Sequence, residues 1–248
     1  MTGRVTSLWR HPIKSLGREA LEAVSLAAGE IIPGDRRWAV AHDAAQVNGD
    51  AWAPCMNFSR VAQSPGMMAV TAEFDDTTGK VTLSHPDLPS LTADPDNEGA
   101  AIVAWMAPLV PENRPRPARV VRAAHPGWTD SGFPSVTLCN LTSHRAVEQR
   151  LGQTLSIHRW RGNIWLDGLA PWEEFDWLDR KVRIGDAVLQ VRERTDRCRA
   201  TTANPETGKI DADTLGALES WNHQDFSVRA EVIEGGTVAL GAGLEIVT

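Results

Sequence analysis

Short runs in which apolar and polar residues alternate dominate this chain. From Val5 to Arg10 the alternation predicts a strand, because successive strand side chains face opposite sides. The run stops at His11-Pro12. Arg37 to His42 predicts a second strand, entered from the turn Pro33-Gly34-Asp35. Met67 to Phe74 and Lys80 to Ser84 flank Asp75-Asp76-Thr77-Thr78-Gly79, the pattern of a hairpin. Ser135 to Asn140 and Ala187 to Arg192 read as strands, as do Val228 to Ile233 and Thr237 to Leu240 around Gly235-Gly236. Helical spacing is rarer. Glu98 to Val110 carries Ala101, Ile102, Trp105 and Leu109 at that period, with Pro108 compromising its last turn and Pro111 closing it. Ser143 to Leu151 sets Val147 and Leu151 on one face and stops at Gly152, and Leu215 to Trp221 predicts a short helix.

Many short strands with few helices imply a β-rich α+β fold, barrel-like or sandwich-like, with peripheral helices. Residues 111–119 hold three prolines and three arginines, the expected connector between two parts, 1–115 and 116–248. No repeat or low-complexity tract interrupts them.

Composition narrows the classes. With 248 residues, 42% hydrophobic and 23% charged, the chain can bury a real core. A net charge of −7 argues against a general nucleic-acid surface while leaving room for a local basic pocket. No apolar run approaches a membrane span, and the opening residues lack the apolar core of a secretory signal. Cys55, Cys139 and Cys198 are odd in number and far apart, which predicts free thiols and a cytoplasmic location. Ten tryptophans and no tyrosine are expected to fill the core or to line a flat-ligand pocket.

The segment Arg192 to Thr202 places Cys198 among Arg192, Arg194, Arg197 and Arg199. Positive surroundings favour a thiolate, the form that attacks sulfur or carbon and binds soft metals. The turn Asn204-Pro205-Glu206-Thr207-Gly208 follows, so Cys198 is expected at a strand end or in the loop after it. The plainer alternatives are a small buried thiol and a solvated arginine face partly neutralised by Glu193 and Asp196. Elsewhere, Lys14 and Ser15 follow Pro12 in an expected exposed loop and suit an anion, by charge and by hydroxyl. Asp35 is placed to orient an arginine fork at Arg36. Arg161 suits bidentate phosphate contact, Gly162 allows close backbone approach, and Asn163 suits a heterocycle edge. There is no His-Glu-x-x-His, Gly-x-Ser-x-Gly, Gly-x-Gly-x-x-Gly or phosphate-loop pattern.

Taken in order, four segments resemble the MOSC family, the domain found at the C-terminus of molybdenum-cofactor sulfurases. The resemblance is to its two-part type, seen in the amidoxime-reducing component and its bacterial relatives. His11-Pro12-Ile13-Lys14-Ser15 is similar to the family's Tyr-Pro-Val-Lys-Ser, and Gly34-Asp35-Arg36-Arg37-Trp38 matches Gly-Asp-Arg-x-Trp. Trp160 to Leu166 resembles Phe-Arg-Pro-Asn-Ile-Val-Val, and Thr195 to Gly208 resembles Cys-x-Arg-Cys-x-x-Thr-Thr-x-Asp-Pro-x-Thr-Gly. The resemblance implies a MOSC-type β-barrel packed with a smaller N-terminal β-barrel-like part. It implies a molybdenum cofactor of the molybdopterin type, with Cys198 as catalytic metal ligand. Lys14, Ser15, Arg36 and Arg161 would hold the pterin and phosphate, with Asn163, Arg197, Thr201 and Thr202 nearby. Three departures stand out: Thr195 for the first cysteine, Gly162 for proline and Asn204 for aspartate.

The expected function is a cofactor-binding oxidoreductase that reduces N-oxygenated small molecules with electrons from an external donor. The alternatives are a sulfur carrier forming a persulfide at Cys198 with a desulfurase partner, and a non-catalytic cofactor-binding module. No nucleic-acid or membrane partner is expected.

Overall fold

The protein is described here by a computed structural model covering residues 3–247 apart from residue 125. Met1 and Thr2, part of the opening weighed above as a leader, lie outside the described residues. The first half contains β1 (Arg4–Arg10), β2 (Glu19–Leu21), β3 (Ala23–Leu26), β4 (Trp38–His42), β5 (Thr71–Asp75), β6 (Lys80–His85), β7 (Leu88–Ala93), α1 (Gly99–Met106) and β8 (Pro117–Arg122). The second contains β9 (Val136–Asn140), α2 (Leu141–Leu151), β10 (Ile164–Asp167), β11 (Lys181–Ile184), β12 (Ala187–Asp196), α3 (Thr214–Glu219), β13 (Asp225–Glu234), β14 (Gly236–Ala239) and β15 (Leu244–Val247). The fold is mostly β, as the alternation implied.

A curled eight-stranded sheet runs β15-β11-β12-β13-β9-β10-β1-β2. Its concave face is filled by Val, Leu and Ile from every central strand, including Leu8, Leu138, Ile164, Val182, Leu189 and Val228. The first strand of the chain therefore completes the sheet of the second half: β1 pairs antiparallel with β10, and Leu8 faces Ile164. A second core gathers around the β5-β6-β7 sheet, the β4–β8 pair and α1, with Ile13, Trp38, Met67, Leu83, Ile102 and Met106 buried in it.

Two expectations are corrected. Pro65–Ala69 is a 3₁₀ turn, and the strand begins only at Thr71. Met67 and Met68 are both buried, which consecutive residues of a one-faced strand cannot be. The connector is also shorter than 111–119, because Pro117–Arg122 pairs with β4. Pro117 is tolerated as the first residue of its strand, beside a register shift opposite His42.

Helix α2 shows how the sequence sets its own limits. The Asn140 side chain accepts from Thr142 N–H at the N-terminus, and Gly152, at φ 66°, ends it in the left-handed conformation. The Asn140 amide also donates to Glu174 at 2.8 Å, and the Ser143 hydroxyl donates to the same carboxyl at 3.0 Å. Burial pushes the Glu174 carboxyl up to about 7 despite these two bonds. The folded protein therefore holds a proton there that the unfolded chain releases near pH 4.5. This contribution is complete in acid and is lost as pH rises through about 7. Glu174→Gln should raise the melting temperature above pH 7 and flatten its fall between pH 5 and 8. Thermal unfolding across that range checks this, and an unchanged slope in the variant would contradict it.

Candidate active site

The chain leaves β1 through His11-Pro12, and the motif that follows is buried, not exposed as expected. Lys14 is 4% exposed. Its ammonium donates to Trp128 O at 2.8 Å and pairs with Asp130. Among the described residues these are the partners of two of its three N–H donors, which leaves one for a ligand. Burial lowers the Lys14 pKa, and Asp130 opposes that.

Asp35 does orient Arg36, and it does so from the interior. Asp35 is 1% exposed, accepts from His11 N–H at 2.6 Å and pairs with the Arg36 guanidinium. Burial alone would raise its pKa, but Arg36 and His11 outweigh burial and hold it below the usual carboxylate range. His11 is kept neutral, its pKa lowered to about 3 by burial and by Arg161. The other end of Arg36 donates to the Arg161 carbonyl at 2.9 Å. Arg161 in turn donates to Gly17 O at 3.2 Å.

Three of these residues share an unusual backbone. Ser15 (φ 61°), Arg36 (φ 48°) and Arg161 (φ 48°) all adopt the left-handed conformation. For residues with a Cβ this costs about 1 kcal/mol or more each. Such strain clusters where a site needs a particular aim. Here it turns the Arg161 carbonyl toward Arg36 while the Arg161 side chain enters the cavity.

Cys198 lies just past β12, at the N-terminus of the 3₁₀ turn Arg199–Thr202, and it is exposed. The turn is held from beneath. Thr201 N–H donates to Cys198 O at 3.2 Å, and Thr201 Oγ1 lies 2.6 Å from Thr214 Oγ1. Arg159, 3% exposed, donates to Thr202 O at 3.2 Å and pairs with Asp211. The four arginines near Cys198 in sequence do not surround it in space. Arg192 pairs with Glu231, and Arg194 lies 4.2 Å over the Phe175 ring. Arg197 alone turns inward, donating to Trp160 O and Phe226 O, each at 2.8 Å, and to Ser227 Oγ at 2.6 Å. It is backed by the stacked rings of Trp160 and Phe226, whose centroids are 3.9 Å apart.

One cavity of about 180 Å³ joins these pieces. Lys14, Ser15, Arg36, Arg161, Arg197, Cys198 and Thr201 all line it. Seven cationic side chains face it against the carboxylates of Asp130 and Asp196. Among the described residues neither Arg161 nor Arg197 has an ion-pair partner, and Arg161 commits one of its five N–H donors. Burial and the Arg36 charge lower the Arg161 pKa to about 9, and burial lowers that of Arg197 to about 10. Buried donors are normally satisfied. Arg161 keeps its unspent donors for the cavity and suits an anion, whereas Arg197 spends most of its donors on Trp160 O, Phe226 O and Ser227 Oγ and contributes chiefly its charge.

Two sequence candidates do not reach the cavity. Asn163 donates to Trp9 O at 3.1 Å and accepts from Thr137 N–H at 3.2 Å, so its amide ties strands together and has no edge free for a heterocycle. Thr202 turns its hydroxyl back to Arg199 O. Arg159, Asp130, Arg60, Arg229 and Cys55 line the cavity and were missed. Arg159 lies two residues before Arg161 and carries a faint signal; the others sit in segments with no pattern of their own.

Comparison with known proteins decides the family. The family model of the MOSC domain matches residues 134–245, and that of the MOSC N-terminal beta barrel domain matches residues 2–107. The chain belongs to the MOSC family. Over 95 residues it is 33% identical to mitochondrial amidoxime-reducing component 1 of Xenopus laevis, a stretch spanning 38% of this chain and 27% of that protein. The crystal structure of the YUAD protein from Bacillus subtilis shares the fold, with a TM-score of 0.51 at 12% identity, covering 99% of this chain and 96% of that one. YiiM from Geobacillus stearothermophilus gives a TM-score of 0.37 at 18% identity over 46% of this chain and 54% of that one.

Two of the three departures from the MOSC pattern now have physical accounts. Asn204 does not loosen its loop: its carbonyl accepts from Glu206 N–H at 2.8 Å and its amide reaches Asp211 at 2.6 Å. Gly162 serves packing and not ligand approach. A Cβ there would lie 2.1 Å from the Cys139 sulfur, while the next atom, Trp165 Nε1, is at an ordinary 3.5 Å. Cys139 occupies the space that a proline ring at 162 would need. Gly162→Ala should destabilise the protein by about 2 kcal/mol, and Cys139→Ala should recover most of that in the double variant. Denaturant unfolding of the four proteins checks the coupling, and strict additivity would contradict it.

Proposed function

We propose that this chain binds a molybdenum cofactor in the cavity at Cys198 and reduces N-oxygenated small molecules with electrons from an external donor. The observation that carries the reading is the meeting of an exposed thiol with unpaired guanidinium groups in one cavity. A soft sulfur donor suits molybdenum, and the guanidiniums suit the anionic pterin phosphate. When bound, the cofactor supplies two-electron redox chemistry that no side chain of the chain can perform.

The chain's own residues have separable tasks in this reading. Cys198 presents its sulfur from a turn fixed by Thr201, Thr214 and Arg159, so the sulfur needs little reorganisation to act as a ligand. Arg161 and Arg36 grip the anionic group, and Asp35 keeps Arg36 aimed. Arg197 is held on carbonyls and so keeps its charge for the ligand instead of losing it to an acid. Lys14 adds its remaining N–H.

Protein from a host that makes the cofactor should carry stoichiometric molybdenum. Cys198→Ala should lower the reduction of an N-hydroxylated amidine by about 100-fold or more while the protein stays folded. Elemental analysis and a donor-coupled assay check both. No molybdenum above background in folded parent protein, or full activity in the variant, would contradict the proposal.

A second reading is favoured by the exposure of Cys198. In it the thiol accepts sulfane sulfur as a persulfide from a desulfurase partner. Mass analysis of cofactor-free protein after exposure to a desulfurase and cysteine separates the two, because only this reading expects a sulfur-mass addition at Cys198.

A further inference from the structure

The cavity holds two thiols, not one. Cys55, from the first half of the chain, lines the same cavity as Cys198. It is half-buried and well placed. Its carbonyl accepts from Phe58 N–H at 3.1 Å, and Ser59 N–H donates to Val40 O at 2.8 Å. Phe58 is buried and packs on Trp128 with ring centroids 4.8 Å apart. The His42 ring bonds Met56 O at 2.7 Å. Arg60, another cavity residue, donates to the Cys55 sulfur at 3.3 Å. The Lys14 ammonium is near enough to interact with a Cys55 thiolate. Thr195, where the family pattern has the first of its two cysteines, supplies no thiol.

We infer that Cys55 is a second sulfur-handling residue of this cavity, receiving sulfane sulfur from Cys198 when the donor is an anionic polysulfide. The inference rests on the sulfur-carrier reading of Cys198 and needs no bound cofactor. The cationic walls draw in the polysulfide anion. The Cys198 thiolate attacks a sulfane sulfur; one S–S bond forms, one breaks, and the polysulfide leaves one sulfur shorter. The persulfide extends the reach of Cys198 by about 2 Å. The Cys55 thiolate then attacks the outer sulfur, the persulfide bond breaks, and the Cys198 thiolate leaves with the electron pair. Neither step changes the total oxidation state. Arg60 stabilises the negative charge on Cys55 before the attack. Cys139 takes no part: burial pushes its thiol up to about 12, and it does not line the cavity.

The test is a pulse and chase on full-length cofactor-free protein. Heavy-sulfur-labelled tetrasulfide is added, removed by gel filtration, and the persulfides are trapped with iodoacetamide at successive times for peptide mass analysis. The inference expects the label to appear first on Cys198 and then to rise on Cys55 as it falls on Cys198. In Cys198→Ser, labelling of Cys55 should drop about tenfold, and in Cys55→Ser the label should persist on Cys198. The wild-type time course stands even if a variant folds poorly. Label that stays on Cys198, or that reaches Cys55 equally well in Cys198→Ser, overturns the relay and leaves the carrier reading intact. A Cys55–Cys198 disulfide with release of hydrosulfide also overturns it, because the attack is then on the inner sulfur. Absence of label from Cys198 removes the carrier reading and the relay together.

Discussion

The bond from the Arg36 guanidinium to the Arg161 carbonyl holds two like charges together and closes the cavity between the halves of the chain. Among the described residues Arg161 has no ion-pair partner, although Asp35 and Asp130 are near enough to ease the repulsion. Asp35 lies behind Arg36, and Arg161 is left with most of its donors unspent. The repulsion shows in the lowered pKa of Arg161, to which both burial and Arg36 contribute. Left-handed backbone at Ser15, Arg36 and Arg161 adds a further cost. A fold retains such stress only when the surroundings over-determine it. Here the surroundings are a neutral buried His11, a buried Asp35 and two packed cores.

The sheet explains why these parts meet. Strand β1 belongs to the curled sheet of the second half, and the chain leaves its end directly into Lys14 and Ser15. Strand β12 carries bulges between Val191 and Glu193 and between Arg194 and Asp196, so its end is re-aimed before Cys198. The turn bearing Arg161 precedes β10, which pairs with β1. Three of the motifs therefore emerge from ends of one continuous ladder, and the fourth, with Arg36, enters β4 of a separate pair and is joined to the first by the Ile13–Trp38 bridge.

Much of this was legible in the sequence. Alternation gave most strands, and Gly152 marked the end of α2, while its start at Leu141, capped by Asn140, fell two residues before the expected Ser143. Of the residues that the four motifs named, Lys14, Ser15, Arg36, Arg161, Arg197, Cys198 and Thr201 come to one cavity, and Asn163 and Thr202 do not. What stayed hidden depended on long-range packing. Much of the charge in the cavity with Cys198 comes from distant segments, Lys14, Arg36 and Arg60 among them, while Arg192 and Arg194, its sequence neighbours, are engaged on the sheet surface. Gly162 looked like a ligand-approach glycine because Cys139, its reason for being small, lies on another strand. Cys55 had no motif at all, and long-range contacts such as the packing of Phe58 on Trp128 and the Ser59–Val40 bond hold its segment at the wall.

The central claim is that this cationic cavity takes an anion as its ligand. Calorimetric titration of cofactor-free protein with inorganic pyrophosphate, at low ionic strength, tests it most directly. The account predicts a single saturable site that weakens as salt is raised and is lost in Arg161→Gln with the fold intact. Absence of saturable binding, or equal binding by parent and variant, would contradict it.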